Sequence, residues 1–71
     1  MVNGSTPESK AELARLYAPN LSERGALKRL QAWIDFNPRL ARALARAGYS
    51  RRQKLVTPRQ VEIVYRYLGE P

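Results

Sequence analysis

Hydrophobic residues recur at helical spacing in four stretches of the chain, and residues that start or stop helices bound each stretch. The first helix is predicted to begin after Ser9, because Ser9 and Glu12 fit a capping box. Thr6-Pro7 offers an alternative start one turn earlier, and Pro19 sets the end. The positions expected to face inward are Leu13, Leu16 and Tyr17.

The second and third helices follow each other almost without a connection. The second is predicted over residues 23–36, with Ser22 as its N-cap. Its apolar arc consists of Ala26, Leu27, Leu30, Trp33 and Ile34. Asn37-Pro38 then supplies a cap and a first-position proline for the third helix, which Gly48 ends. The inward positions of the third helix are Leu40, Ala41, Leu44 and Ala47.

The fourth helix is predicted to start at Thr57-Pro58 and to stop at Gly69, with Gln60 completing a capping box. Its apolar face consists of Val61, Val64, Tyr65 and Leu68. Residues 49–56 lack helical signals and form either a minimal wing or an extended segment, within which Leu55-Val56 is a short strand or a plug in the core. The aromatic side chains Trp33, Phe36, Tyr65 and Tyr67 are expected at the core and its edge.

These elements predict an all-α fold, a compact bundle of four short helices whose first pair is helix-turn-helix-like. At 71 residues the chain has room for one domain. We predict a flexible leader over residues 1–8 and a single helical domain over residues 9–71. With so small a core and no cysteine to cross-link it, helix packing has to supply the stability, with self-association as a further source.

The charge is strongly unbalanced. Thirteen Lys and Arg oppose six Asp and Glu, which gives a formal net charge of +7. The whole excess falls between Asp35 and Glu62, where no acidic residue occurs. The basic residues of that interval are Arg39, Arg42, Arg46, Arg51, Arg52, Lys54 and Arg59. Because an unpaired run of this kind repels itself, it favours an anionic partner over an ordinary solvated surface.

Two groups within this interval are candidates for phosphate contact. On the third helix, Arg39, Arg42 and Arg46 lie within about 60° of one another on the side away from the leucines, and we call them the arginine stripe. The basic loop, residues 49–54, carries Arg51, Arg52 and Lys54 and suits a phosphate backbone or a minor groove. Its aromatic residue, Tyr49, is expected to pack on the core.

The second helix has a polar edge opposite its apolar arc. Arg24, Lys28, Gln31 and Asp35 fall within about 60° of one another on the helical wheel. Arg and Lys suit phosphates or guanine, and Gln can pair with adenine, so Arg24, Lys28 and Gln31 are candidates for reading a DNA groove. An ordinary solvated face explains the same pattern, and the carboxylate of Asp35 favours that alternative.

Several kinds of chemistry find no support in the sequence. With neither His nor Cys, the chain lacks a serine triad, a thiol nucleophile and the softer metal ligands. Its glycines are isolated, and its carboxylates show no metal-ligand spacing. We therefore expect no enzyme, no cofactor and no metal. No apolar run reaches membrane-spanning length and no signal pattern opens the chain, so we expect a cytoplasmic protein that does not bind a membrane.

Two resemblances to known families extend these expectations. Residues 10–17, a turn and residues 26–34 resemble the helix-turn-helix of excisionase-like and MerR-like DNA-binding domains. In those families a wing leads into a helix with a proline at its start, and residues 54–61 are similar to that exit. The helix predicted over residues 38–47 departs from these families, which have a shorter link there. This resemblance implies DNA binding through the second helix.

The chain from Lys10 onward more closely resembles small bacterial proteins grouped as domain of unknown function 4248. The matching segments are Ala26…Leu30…Trp33-Ile34, Asn37-Pro38, Ala47-Gly48-Tyr49, residues 55–61 and residues 67–71. This resemblance implies membership of the family and brings no activity with it.

The leading hypothesis is a module that binds double-stranded DNA. In it Arg24, Lys28 and Gln31 read the groove, and the arginine stripe with Arg51, Arg52 and Lys54 grips phosphates. The alternative is a protein-interaction module that docks an acidic partner on the same basic face or dimerises through Ile63 and Tyr67, so the chain is either a monomer or a homodimer. RNA is a weaker candidate, since no aromatic-interleaved RNA-recognition motif occurs.

Overall fold

The computed structural model describes residues 6–71, and within them four helices pack into one bundle. The helices are α1 (Lys10–Tyr17), α2 (Glu23–Asp35), α3 (Pro38–Arg46) and α4 (Pro58–Leu68). The all-α prediction is confirmed, and each helix ends within one residue of its predicted boundary. Met1–Ser5, most of the predicted leader, lie outside the described residues. None of the helices in residues 6–71 is long and apolar enough to cross a bilayer.

Capping side chains fix the helix starts as the sequence predicts. The hydroxyl of Ser9 accepts a hydrogen bond from the backbone N–H of Glu12, while the Glu12 carboxylate accepts from the Ser9 N–H, which completes a capping box. The carboxylate also accepts from the N–H of Glu8, and these backbone hydrogen bonds lower the pKa of Glu12. Thr57 and Gln60 form the second capping box at the start of α4.

The core is built from small and branched apolar residues of all four helices. Leu13, Leu30, Leu40 and Leu44 are its largest fully buried side chains. Along the chain, α1 packs on α2, α2 on α3 and α3 on α4, and Val56 closes the core from the segment before α4. At the far end, the Tyr17 hydroxyl donates a hydrogen bond to the Gly69 carbonyl, which fastens the end of α1 to the end of α4.

A buried amide joins α4 to the end of α3. Gln60 is almost fully buried, and its Nε2 donates to the carbonyl oxygen of Ala47 at 3.0 Å. Its Oε1 accepts from Gln53 Nε2 at 2.7 Å and from the Thr57 N–H at 3.2 Å. Each polar atom of this side chain therefore has a partner, as burial of an amide requires.

Residues 49–56 contain no hairpin, so a wing is not present and the extended-segment alternative holds. Gly48, with a φ of 82°, ends α3, and the chain then turns and runs alongside the start of α1. One antiparallel bridge links Ser9 to Leu55, and the N–H of Val56 donates to the Glu8 carbonyl at 2.9 Å. Pro7 is also buried, so packed structure extends into the predicted leader.

Three positions predicted at the core or its edge are wrong: Leu16, Phe36 and Tyr67, the last of which is 40% exposed and does not pack against the core. Phe36 is 86% exposed because it lies one residue beyond α2, where the chain turns into Asn37-Pro38 and leaves the ring outside the bundle. Leu16 is 47% exposed, because α1 buries Leu13 and Ala14 and turns Leu16 toward its solvent side.

Candidate nucleic-acid interface

The arginine stripe lies on the solvent side of α3. The Asn37 side chain caps the helix by accepting from the Leu40 N–H at 3.2 Å, and Pro38 occupies the first turn. Leu40 and Leu44 point into the core and are fully buried, which fixes the rotation of the helix. Arg39, Arg42 and Arg46 are consequently exposed. Within residues 6–71, no carboxylate lies within salt-bridge distance of these three guanidinium groups.

The basic loop is shaped by its own side chains. The N–H of Ser50 donates to Gln53 Oε1 at 2.8 Å, and Gln53 Nε2 donates to the Leu55 carbonyl at 2.7 Å. The backbone N–H of Lys10, the first residue of α1, donates to the Lys54 carbonyl at 2.8 Å. The loop is therefore attached to α1, and it presents Arg51, Arg52 and Lys54 as exposed side chains.

A buried lysine lies beneath this loop. Lys10 is only 6% exposed, and its Nζ donates to Gln31 Oε1 at 2.9 Å and to the Arg51 carbonyl at 3.1 Å. The same Nζ lies 5.1 Å from the centre of the Tyr49 ring, within the range of a cation–π interaction. Burial, with Arg51 nearby, lowers the pKa of Lys10. One ammonium group thus joins α1, α2 and the basic loop.

Tyr49 completes this arrangement. Its hydroxyl donates to Gln31 Oε1 at 2.7 Å, so that this oxygen accepts from both Tyr49 and Lys10. Burial raises the pKa of Tyr49 to about 12. The ring packs against the core, as expected from the sequence.

Asp35 holds the side chain of Arg51. Arg51 Nη1 lies 2.6 Å from Asp35 Oδ1, and Gln31 Nε2 donates to the same oxygen at 3.0 Å. The hydrogen bond from Gln31, followed by that from Arg51, lowers the pKa of Asp35. This is the one salt bridge within the described part of the chain.

The polar edge of α2 divides into two parts. Arg24 and Lys28 are exposed, as their predicted role requires. Gln31 is half-buried, and its amide is bonded to Lys10, Tyr49 and Asp35. Reading of adenine by Gln31 stays a prediction, and it would require this amide to give up its internal partners.

A cleft of about 570 Å³ opens where the basic loop meets α1 and α2. Its lining includes Lys10, Leu27, Arg51, Arg52 and Lys54. Glu23 also lines the cleft, so its wall is not uniformly positive. The arrangement suits contact with an anion along the loop, where basic side chains are held on a fixed backbone.

Sequence reasoning missed the central position of Lys10. One feature of the sequence pointed to it. A lysine in the first turn of a helix is repelled by the positive end of the helix dipole, so its burial there requires a compensating contact. Nothing in the sequence indicates that the compensation comes from Gln31 and the Arg51 carbonyl. The contact of Asp35 with Arg51 is likewise absent from any local pattern.

Residues 5–71 match the family model described as a domain of unknown function (DUF4248), and the chain belongs to this family. The predicted membership is thereby confirmed. No curated protein and no solved structure matches the chain. The more distant resemblance to helix-turn-helix domains stays a prediction.

Proposed function

We propose that this protein is a binding module, not an enzyme, and that its ligand is double-stranded DNA. We call the arginine stripe together with Arg51, Arg52 and Lys54 the basic surface. The observation that carries the proposal is the exposure of the arginine stripe with no carboxylate in salt-bridge distance among residues 6–71. Guanidinium groups left unpaired in this way suit phosphate oxygens, and polyanion binding relieves their mutual repulsion.

The placement of Tyr49 favours a duplex over a single strand. Proteins that bind single strands stack bases on aromatic side chains beside a basic groove. In the basic loop that aromatic residue is Tyr49, whose ring faces Lys10 and whose hydroxyl is bonded to Gln31. The ring is therefore not available to stack on a base. The basic surface can then bind a nucleic acid through its phosphate backbone.

The exposed half of the α2 edge is proposed to reach a groove. Arg24 and Lys28 are accessible, and both side chains can contact phosphates or the edge of guanine. The short connection between α1 and α2, residues 18–22, is compatible with a helix-turn-helix docking in which α2 is the recognition helix.

The experiment is a fluorescence-anisotropy titration of a labelled duplex at several salt concentrations. Each phosphate contact should contribute about 0.9 to the slope of log affinity against log salt. The variant R39Q/R42Q/R46Q removes the arginine stripe and should reduce the slope by roughly 2.7. The matched control is R15Q/R29Q/R66Q, which removes the same charge from exposed arginines outside the basic surface.

The proposal predicts that the salt slope of the control variant stays close to that of the wild-type chain, whereas the slope of the stripe variant falls. Undetectable binding of the wild-type chain at low salt would refute it. Equal losses in the two variants would show that net charge alone acts, and would refute the assignment to the basic surface.

The alternative function is docking of an acidic protein on the same basic surface, or dimerisation through Ile63 and Tyr67. Tyr67 is 40% exposed, whereas Ile63 packs partly against the core, so the patch these residues offer is small. A molecular mass that rises with concentration, in a chain that does not respond to duplex DNA, would favour this alternative.

A further inference from the structure

The side chain of Arg51 is bound to a carboxylate in the free protein. Its Nη1 lies 2.6 Å from Asp35 Oδ1. In this respect Arg51 differs from the arginine stripe, whose guanidinium groups have no carboxylate within that range among residues 6–71. A phosphate that binds Arg51 therefore has to compete with Asp35.

The competition is one that a phosphate can win. The side chains of Arg51 and Asp35 are 66% and 44% exposed, and exposed ion pairs contribute little stability. A single contact at Oδ1 uses part of the guanidinium fork, whereas a phosphate can take the fork in bidentate fashion. Water can also solvate the carboxylate once it is released.

The backbone of the loop does not depend on this ion pair. Lys10 Nζ donates to the Arg51 carbonyl at 3.1 Å, and the Lys10 N–H donates to the Lys54 carbonyl at 2.8 Å. Gln31 Nε2 also supplies Asp35 with a partner that stays in place when Arg51 leaves. Exchange of the Arg51 partner thus requires only rotation of its side chain.

We infer that Asp35 is an internal competitor for phosphate: it holds Arg51 in the free protein and yields it to a nucleic-acid phosphate on binding, while Lys10 keeps the loop backbone fixed. The inference rests on the proposed function. The contact weakens binding of any phosphate at Arg51 and so limits non-specific retention of the protein on polyanions.

Asp35→Asn tests the exchange, because Asn removes the charge and keeps an oxygen that can accept from Gln31. Glu62→Gln is the matched control, since it removes one negative charge from an exposed residue of α4 that has no salt bridge within residues 6–71. At low salt, D35N should bind duplex DNA about threefold more tightly than E62Q does. The advantage should shrink as salt screens the ion pair in the wild-type chain.

A second background shows whether Asp35 acts through Arg51. In a chain that carries Arg51→Gln, the effect of D35N should fall to that of E62Q, because the competing partner is gone. An unchanged D35N effect in that background would overturn the inference, as would equal affinities of D35N and E62Q in the original chain.

A readout without nucleic acid separates this inference from the proposed function. The side-chain Nε–H resonance of Arg51 can be followed by NMR during titration with inorganic pyrophosphate. Its shift should saturate at lower pyrophosphate in D35N than in E62Q, and coincident curves would overturn the exchange. If the wild-type chain fails to bind duplex DNA, the proposed function fails, and this titration still decides whether Asp35 competes for Arg51.

Discussion

Replacement of Lys10 by methionine tests whether one buried ammonium group fastens the basic loop to the bundle. Methionine keeps most of the apolar stem and fills a similar volume. It removes the hydrogen bonds to Gln31 Oε1 and the Arg51 carbonyl, together with the cation–π contact with Tyr49. The Gln31 oxygen retains Tyr49 as a donor, whereas the Arg51 carbonyl loses the donor that the structure gives it.

The expected magnitude follows from opposing effects. Hydrogen bonds from a charged donor contribute about 1.5–3 kcal/mol each and a cation–π contact about 0.5–1 kcal/mol. Against these stands the cost of burying the ammonium group, several kcal/mol, and of placing it at the positive end of α1, about 0.3–1 kcal/mol. We expect a net loss of about 2 kcal/mol in the free energy of unfolding. For a domain of this size the melting temperature should fall by about 8–16 °C.

The assay is thermal unfolding followed by circular dichroism, with Lys28→Met as the matched control. Lys28 is exposed on α2, so its replacement removes the same charge and should change the free energy of unfolding by less than about 0.5 kcal/mol. A K10M chain as stable as K28M would refute the reasoning, since the contacts of Lys10 would then contribute nothing beyond the cost of its burial.

Two further predictions concern the backbone and the tyrosines. Because the φ of Gly48 is 82°, Gly48→Ala should lower the free energy of unfolding by about 1 kcal/mol, and Gly48→Asn should lower it by less because Asn tolerates that conformation. Equal losses for the two variants in chemical denaturation would contradict this prediction. Burial raises the pKa of both Tyr17 and Tyr49 to about 12 and also raises the pKa of Tyr65, so phenolate absorbance should show tyrosines that ionise well above pH 10, and Tyr49→Phe should remove one of them. Because these folded-state pKa values exceed the ordinary value of 10.0, the stability that depends on the protonated tyrosines is complete below pH 10 and should decline as pH rises toward 12. Ionisation of all tyrosines near pH 10 would contradict this prediction.

The helices could be predicted from the sequence because their determinants are local. The capping boxes of α1 and α4 each join residues three positions apart, and α3 is bounded by the side-chain cap of Asn37, by Pro38 in its first turn and by the left-handed backbone of Gly48. The arginine stripe was predictable for the same reason, since the burial of Leu40 and Leu44 sets the rotation of one short helix.

The contacts that organise the basic loop could not be predicted in this way. Lys10 meets Gln31 across 21 positions of sequence and the Arg51 carbonyl across 41. A helical wheel places Gln31 and Asp35 outward, and it cannot indicate that the loop after α3 returns to cover Gln31 and to pair with Asp35. Phe36 shows a different error. Its apolar side chain continues the helical pattern of α2, but the helix ends at Asp35, one residue earlier.

This covering changes what the α2 edge can recognise under the proposed function. Recognition of adenine by a glutamine needs both amide atoms free, and the structure engages them with Lys10, Tyr49 and Asp35. Arg24 and Lys28 remain available, and their donors match guanine or phosphate oxygens. Since phosphates are the same in every sequence, the contacts of α3 and the basic loop add affinity without discrimination. Any preference among duplexes then has to come from guanine contacts by α2, from the shape of the DNA, or from a second copy of the chain.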